Sequence, residues 1–393
     1  MADFLYIHIP FCVQKCIYCD FFSVAYDESI ASTYIDALCK ELYLKKDFID
    51  TLKTVYIGGG TPSLLPDECF GKLFPCLRNN FKLPPSAEIT VEANPGTLDE
   101  AKIRSLLSLG VNRLSVGVQS FHDSELKTLG RIHSSDEAVR SIETIKKSGV
   151  KNVSIDLMYG IPGQTMDSWR DSLSKAIALS PTHLSAYELT PEKGTPLYGS
   201  LESGKMLMPD EDSVLEMYHH TIDYLTGIGY DHYEISNFAL PGFICIHNLN
   251  YWDRGAYLGA GTGAHSLMNG VRSQNSNDIK GYIENLDKGI IPDSTSSRLT
   301  SEEAVKESIF LGLRKREGIN LNKIPHIGNP PPVSEGDTER HSFPITKERL
   351  LTAGKELIAE GYLESSGDSV RLTREGRVIS NTIIVMLFEK LGL

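Results

Sequence analysis

The 393-residue chain carries 39 Lys+Arg against 51 Asp+Glu, a formal charge of −12, and is 41% hydrophobic and 23% charged. This is the composition of a globular protein long enough for two domains, or for one large barrel with an appendage. The acidic balance argues against a basic nucleic-acid surface and disfavours attachment to anionic lipid, and no apolar run reaches the ~20 residues of a membrane span. Met1-Ala2-Asp3-Phe4 offers no basic n-region, and His8 and Pro10 break the short apolar stretch that follows, so no secretory signal is read. Seven cysteines, an odd number without an export signal, do not suggest a disulfide framework. The expectation is a soluble cytoplasmic protein whose cysteines serve another purpose.

In chain order, short β-rich runs over 5–9, 54–57, 88–92, 113–118, 153–157 and 184–189 alternate with amphipathic helical patterns. The helices are predicted over 31–44, 66–78, 98–109, in stretches up to 147, and over 166–178 and 210–225. About six strand–helix units imply parallel strands joined by right-handed crossovers, in a barrel or a doubly wound sheet. The strands are expected to be apolar on both faces, as buried parallel strands are. Gly58-Gly59-Gly60-Thr61 follows the second strand, Glu92 ends the third, Gln119 ends the fourth, Asp156 lies in the fifth, and Tyr187-Glu188 lie in the sixth. Polar residues at successive strand ends share one rim, where barrels place their sites, whereas an open sheet gathers them at a single switch point. The prediction is an α/β fold, a partial (β/α)6 TIM-like barrel over 1–235.

After residue 230 the rhythm breaks. A further strand is expected within 231–240, then a Gly-rich stretch over 255–263, making 236–295 a connecting segment. Helices over 301–314 and 346–360, a hairpin over 364–372 and a last helix over 377–391 suggest a small winged-helix-like α+β module over 296–393. Within it, 326–344 contains Pro330-Pro331-Pro332 and reads as a disordered surface loop.

Cys12-Val13-Gln14-Lys15-Cys16-Ile17-Tyr18-Cys19 is the strongest chemical signal. Three thiolates this close cannot all be bridged, and iron–sulfur clusters are held by cysteine thiolates, four for a closed cubane. Three ligands leave one iron open. A zinc site completed by His8 or His122 is the competing reading, although zinc motifs usually pair two C-x2-C arms. Cys39, Cys69, Cys76 and Cys245 are scattered and read as small buried hydrophobes. The glycine run has no P-loop pattern but lets backbone approach a ligand closely. Glu92, Gln119 and Asp156 suit hydroxyls and an ammonium, and Arg131 suits a carboxylate. In His247-Asn248-Leu249-Asn250-Tyr251-Trp252 an imidazole stands beside two flat aromatic surfaces, the combination that holds a haem or that braces a buried core. Cys245-Ile246-His247 lacks the Cys-x-x-Cys-His pattern of covalent haem attachment, so any haem is bound reversibly.

Tyr6-Ile7-His8-Ile9-Pro10-Phe11-Cys12-x3-Cys16-x2-Cys19 resembles the signature of radical S-adenosylmethionine (SAM) proteins, and of their coproporphyrinogen-oxidase-like family, over nearly the whole chain. The resemblance implies a [4Fe–4S] cluster on Cys12, Cys16 and Cys19, with SAM chelating the open iron and yielding a 5′-deoxyadenosyl radical on reduction. It also implies SAM contacts at Tyr6, Gly59, Gly60, Thr61, Glu92, Gln119, Arg131 and Asp156. The dehydrogenase branch has a further cysteine two positions after the third, where this chain has Phe21, and a long N-terminal extension, where this chain begins a few residues before its first strand. The 247–252 motif instead resembles that of the haem-chaperone branch. That branch implies haem as cargo, His247 as axial ligand with His265 a second candidate, and a regulatory cluster and SAM that promote dimerisation. Its acceptors are haemoproteins, membrane-bound respiratory enzymes among them. Oxidative decarboxylation of coproporphyrinogen III is the enzyme alternative.

Overall fold

Alternation at a period of two governs the first half of the chain. In β1 (Phe4–Ile9), Leu5, Ile7 and Ile9 are fully buried in the apolar core, while Tyr6 and His8 point to the other face. The same division holds in β2 (Thr54–Gly59), β3 (Glu88–Ala93), β4 (Arg113–Gln119), β5 (Asn152–Tyr159) and β6 (His183–Glu188). Val55, Ile57, Ile89, Val91, Leu114, Val116, Val153, Ile155, Leu184 and Ala186 join the core. The opposite face carries Thr54, Tyr56, Thr90, Glu92, Arg113, Ser115, Ser154, Asp156, His183 and Ser185. The strands are therefore not apolar on both faces: one face packs on helices and the other lines a polar lumen. Register keeps the polar residues level, with Tyr6 opposite Tyr56, Glu92 opposite Ser115 and Asp156 opposite Ser185.

The computed structural model describes residues 2–322, 324 and 346–393, so the loop expected over 326–344 lies outside the described residues. Two units are present: Met1–Asp231, Ser236–His247 and Ala256–Ser297 in the first, and His232–Ile235, Asn248–Gly255 and Arg298–Leu393 in the second. In the first, β1 to β6 are mutually parallel and sequential. β7 (Asn237–Ala239) adds antiparallel beyond β6, and β8 (Leu258–Ala260) adds parallel beyond β1. The crossovers use α1 (Glu28–Leu44), α2 (Asp67–Asn80), α3 (Glu100–Ser108), α4 (Ser135–Lys147) and α5 (Met166–Ala178), and α6 (Glu211–Gly227) follows β6. The result is the partial barrel expected from the strand count. In α4 the sequence signals are complete: Ser134 and Glu137 form a capping box, Ala138, Ile142 and Ile145 are buried, and Lys146 and Lys147 sit at the negative end of the dipole.

Residues 236–297 hold more than a connector. Besides β7 and β8 they include the hairpin His265–Met268 with Val271–Asn275 and the helix Ile279–Asp287. In the second unit, helices Ser301–Gly312, Lys347–Ala353, Lys355–Ala359 and Ser380–Leu391 surround a three-stranded antiparallel sheet. The predicted hairpin is Leu363–Ser366 with Ser369–Leu372, and Ile319–Asn320 completes the sheet. Its own core includes Ile309, Leu313, Leu350, Leu357, Leu372, Ile384 and Leu387.

β8 is short and Gly-rich, and a buried carboxylate holds it in place. Glu41 on α1 is fully buried. It accepts from Gly261 N at 2.7 Å, from Asn275 Nδ2 at 2.6 Å and from the Tyr282 hydroxyl, and pairs with Lys45 Nζ at 2.7 Å. Lys45 also donates to the Gly259 carbonyl at 3.1 Å. Gly261 has φ +98°, and a Cβ there would lie 2.5 Å from the His8 carbonyl and the Tyr34 hydroxyl, so only glycine fits. Removing one member of a satisfied buried pair strands the other. Glu41→Ala is expected to cost about 3–5 kcal/mol in urea unfolding, and a loss below about 1 kcal/mol would show that the network does not hold this edge.

Candidate functional site

The loop after β1 carries the three cysteines and is pinned from several sides. Ile17 N donates to Leu129 O at 3.2 Å, Leu197 N to Ile17 O at 2.9 Å, and Tyr26 N to Cys12 O at 2.9 Å. Gln14 reaches the Gly130 carbonyl at 3.1 Å and Lys15 the Phe21 carbonyl at 2.9 Å. All three thiols are free and half-buried. A continuous set of hydrogen bonds ties two of them together. Thr61 Oγ1 donates to Cys12 Sγ at 3.7 Å, and Asn94 Nδ2 donates to Thr61 Oγ1 at 2.9 Å. Arg131 donates from Nη2 to Asn94 Oδ1 at 2.8 Å and from Nη1 to Cys16 Sγ at 3.6 Å. Burial and the neighbouring sulfurs hold the Cys19 thiol above its usual range. A cavity of about 30 Å³ opens between Cys16, Thr61, Asn94, Arg131 and His133. Asn94 is central to this arrangement, and only its place after Glu92 in Val91-Glu92-Ala93-Asn94-Pro95 pointed to it.

These residues fit an iron–sulfur cluster. Three free thiols share one loop, and two of them accept from a hydroxyl and a guanidinium, the kind of donors that orient sulfur ligands next to metal. Among the described residues no three His, Cys, Asp or Glu side chains converge on a single ion, whereas a cubane takes each thiolate on a different iron. Both histidines offered for the zinc alternative are engaged elsewhere. His8 Nε2 donates to the Phe22 carbonyl at 2.9 Å, which leaves Nδ1 to accept from Tyr6 at 3.0 Å, and His122 pairs with Asp171 at 2.9 Å. Phe21, where the dehydrogenase branch has a fourth cysteine, is 64% exposed.

The remaining predicted residues fall in three places. At the rim with the cysteines lie Gly59, Gly60, Thr61, Glu92, Gln119 and Arg131. Gly59 has φ +114° and a Cβ would strike the His8 ring at 2.5 Å, so the glycine is required by β1 as well as by any ligand. Gln119 ends β4 at a register shift with φ +67°, a conformation unusual for a residue with a side chain. Tyr6 and Asp156 sit lower, in the lumen. Asp156 accepts from Ser115 at 3.1 Å, Ser154 at 3.1 Å and Ser185 at 2.8 Å. Burial raises its carboxyl, and these hydroxyls with Arg113 hold the rise back.

His247 lies at the other end of the strands. It is the second residue of the helix Ile246–Trp252, is 1% exposed, and its Nδ1 is 2.7 Å from Thr54 Oγ1, at the start of β2. Its ring stacks on Tyr56 at 5.1 Å. Glu88, at the start of β3, accepts from the backbone N–H groups of Ile246 and His247, each at 3.1 Å. Burial, then Arg113, lowers the imidazole to about 3. His265, the second candidate, is exposed on its hairpin.

Glu92 bridges rim and lumen, accepting from the Tyr56 hydroxyl at 2.7 Å and from Gly59 N at 3.0 Å. Burial outweighs both bonds and pushes its carboxyl up to about 7. A raised carboxyl favours the folded state at low pH, and this contribution is lost as pH climbs from about 4.5 through about 7. Between pH 5 and 8, Glu92→Gln should therefore gain about 1–3 kcal/mol relative to the parent protein, read by urea unfolding of the two proteins. A constant offset would show that Glu92 titrates normally.

Residues 6–176 match the Radical SAM superfamily. The chain is 35% identical over 383 residues to Heme chaperone HemW of Bacillus subtilis, covering 96% of this chain and 97% of that one. It is 43% identical over 267 residues to Heme chaperone HemW of Escherichia coli, covering 67% and 70%. Among solved structures, coproporphyrinogen III oxidase (HemN) of Escherichia coli, a radical SAM enzyme, superposes with a TM-score of 0.79 at 23% identity, covering 98% of this chain and 89% of that one. That likeness confirms the fold. From end to end, the chain belongs to the HemW family of the radical SAM superfamily.

Proposed function

We propose that this chain is a haem chaperone, binding haem reversibly and handing it to acceptor haemoproteins. The carrying observation is its similarity along nearly its whole length to HemW relatives. Acceptors that include membrane-bound respiratory enzymes, a homodimer and a cytoplasmic location extend the same reading. Among the described residues no helix is long and apolar enough to cross a membrane.

Cys12, Cys16 and Cys19 hold a [4Fe–4S] cluster, which when bound supplies an iron open to the amino and carboxylate groups of SAM. Thr61 and Arg131 donate to the sulfurs of Cys12 and Cys16 and so orient the ligating side chains. Gly59, Gly60, Gln119 and Arg131 form the rim of the SAM surface, with Tyr6 and Asp156 beneath. Glu92, oriented by Tyr56 and Gly59, accepts from ammonium or hydroxyl groups at that rim.

His247 is the proposed axial ligand. Burial holds the imidazole neutral while residues 246–252 stay docked, and neutral imidazole is the form that binds metal. Its burial means that residues 246–252 leave the Glu88 cap before haem reaches it. His247→Ala should weaken haem binding roughly tenfold or more, measured by Soret titration, with iron and sulfide content unchanged. Equal affinity would remove His247 from the haem site. Glu88→Gln, which weakens the cap by about one charge-assisted hydrogen bond, should speed haem association roughly tenfold in stopped-flow mixing. An unchanged rate would mean that the helix does not open. A decarboxylated vinyl product from coproporphyrinogen III, with reduced, cluster-loaded protein and SAM under anaerobic conditions, would overturn the chaperone reading in favour of the enzyme.

A further inference from the structure

Two of the scattered cysteines are not buried hydrophobes. Cys39 on α1 and Cys76 on α2 are both half-buried, unlike Cys69 and Cys245, and they meet where the two helices pack. Cys76 Sγ donates to the Cys39 carbonyl at 3.5 Å. Asn80, one turn further along α2, donates from Nδ2 to Cys76 Sγ at 3.4 Å and to the Cys76 carbonyl at 2.9 Å. We infer that Cys39 and Cys76 form a redox-active dithiol, a modification site separate from the cysteine loop that small-molecule disulfides oxidise to an intramolecular disulfide.

The environment makes the two thiols unequal. Hydrogen bonding from Cys39, with a further donor in Asn80, draws the Cys76 thiol below its usual range, and the same pairing raises Cys39. The Asn80 donor at the Cys76 sulfur marks Cys76 as the attacking thiol, once it gives up its proton, and Cys39 as the resolving one, the division of labour that thiol–disulfide exchange favours. Cys76 attacks one sulfur of a disulfide such as oxidised glutathione, forming a mixed disulfide and releasing one glutathione thiolate. Cys39 then loses its proton and attacks the Cys76 sulfur, releasing the second glutathione. Two protein thiols are oxidised, one small disulfide is reduced to two thiols, and a reducing thiol pool reverses the reaction. The bond would staple α1 to α2 two residues before Glu41, the carboxylate that holds Gly261.

The test is peptide mapping by mass spectrometry of the full chain, cluster-loaded and cluster-free, after exposure to oxidised glutathione and alkylation of remaining thiols. The expected result is a Cys39–Cys76 cross-linked peptide in both forms, reversed by reduced glutathione. It should be lost in Cys39→Ser, which instead retains a glutathione adduct on Cys76, and lost in Cys76→Ser. Both cysteines recovered alkylated and unlinked in the parent protein would overturn the proposal, and so would linkage of either one only to Cys12, Cys16 or Cys19. The parent map decides the matter even if a variant fails to fold.

Discussion

A strand in a parallel barrel must serve two surroundings at once, and here that constraint sets nearly everything else. Odd positions of β1 and their counterparts in β2 to β6 are aliphatic and meet the helices. Even positions carry hydroxyls, carboxylates, imidazoles and a guanidinium into the lumen. Polar groups enclosed in this way are tolerable only when they satisfy one another. The bonds among Tyr56 and Glu92, and among Asp156 and its three serines, are therefore as structural as the apolar core. Site chemistry is assembled from side chains that the fold already has to pair.

Three glutamates show how an acidic chain uses its excess of carboxylates. Glu41 accepts from Gly261 N, Glu88 from Ile246 N and His247 N, and Glu92 from Gly59 N. In each case a side chain on a regular element fixes the backbone of a segment that carries a predicted ligand-binding motif or a Gly-rich turn. Charge-assisted bonds to backbone amides are stronger than neutral ones, and they set the position of flexible chain without needing side chains from it. Loop positions at both ends of the strands thus depend on buried or partly buried carboxylates.

Much of this was legible in the sequence. The six strands begin within a residue or two of their predicted starts because β-branched runs between turn residues define them locally. The cysteine triplet was equally plain, since its spacing alone restricts its chemistry. What the sequence concealed were relations between distant segments. The polar lumen was missed because Thr and Tyr are good strand formers and blur the alternation. The strand Leu258–Ala260 exists only because β1 offers it an edge, a tertiary effect on three residues of low propensity. Cys39 and Cys76 become neighbours through helix packing, and Asn94 gains its role only once Thr61 and Arg131 stand on either side. For His247 the sequence named the ring but not the end of the barrel where it lies.

That last placement turns β2 into a ruler. From Thr54 to Gly59 the strand rises about 17 Å at ~3.3 Å per residue, with the sulfur-bearing loop beyond one end and His247 against the other. Midway stands Tyr56. The two ends of the strand are thus joined through one phenol, stacked on His247 and hydrogen-bonded to Glu92.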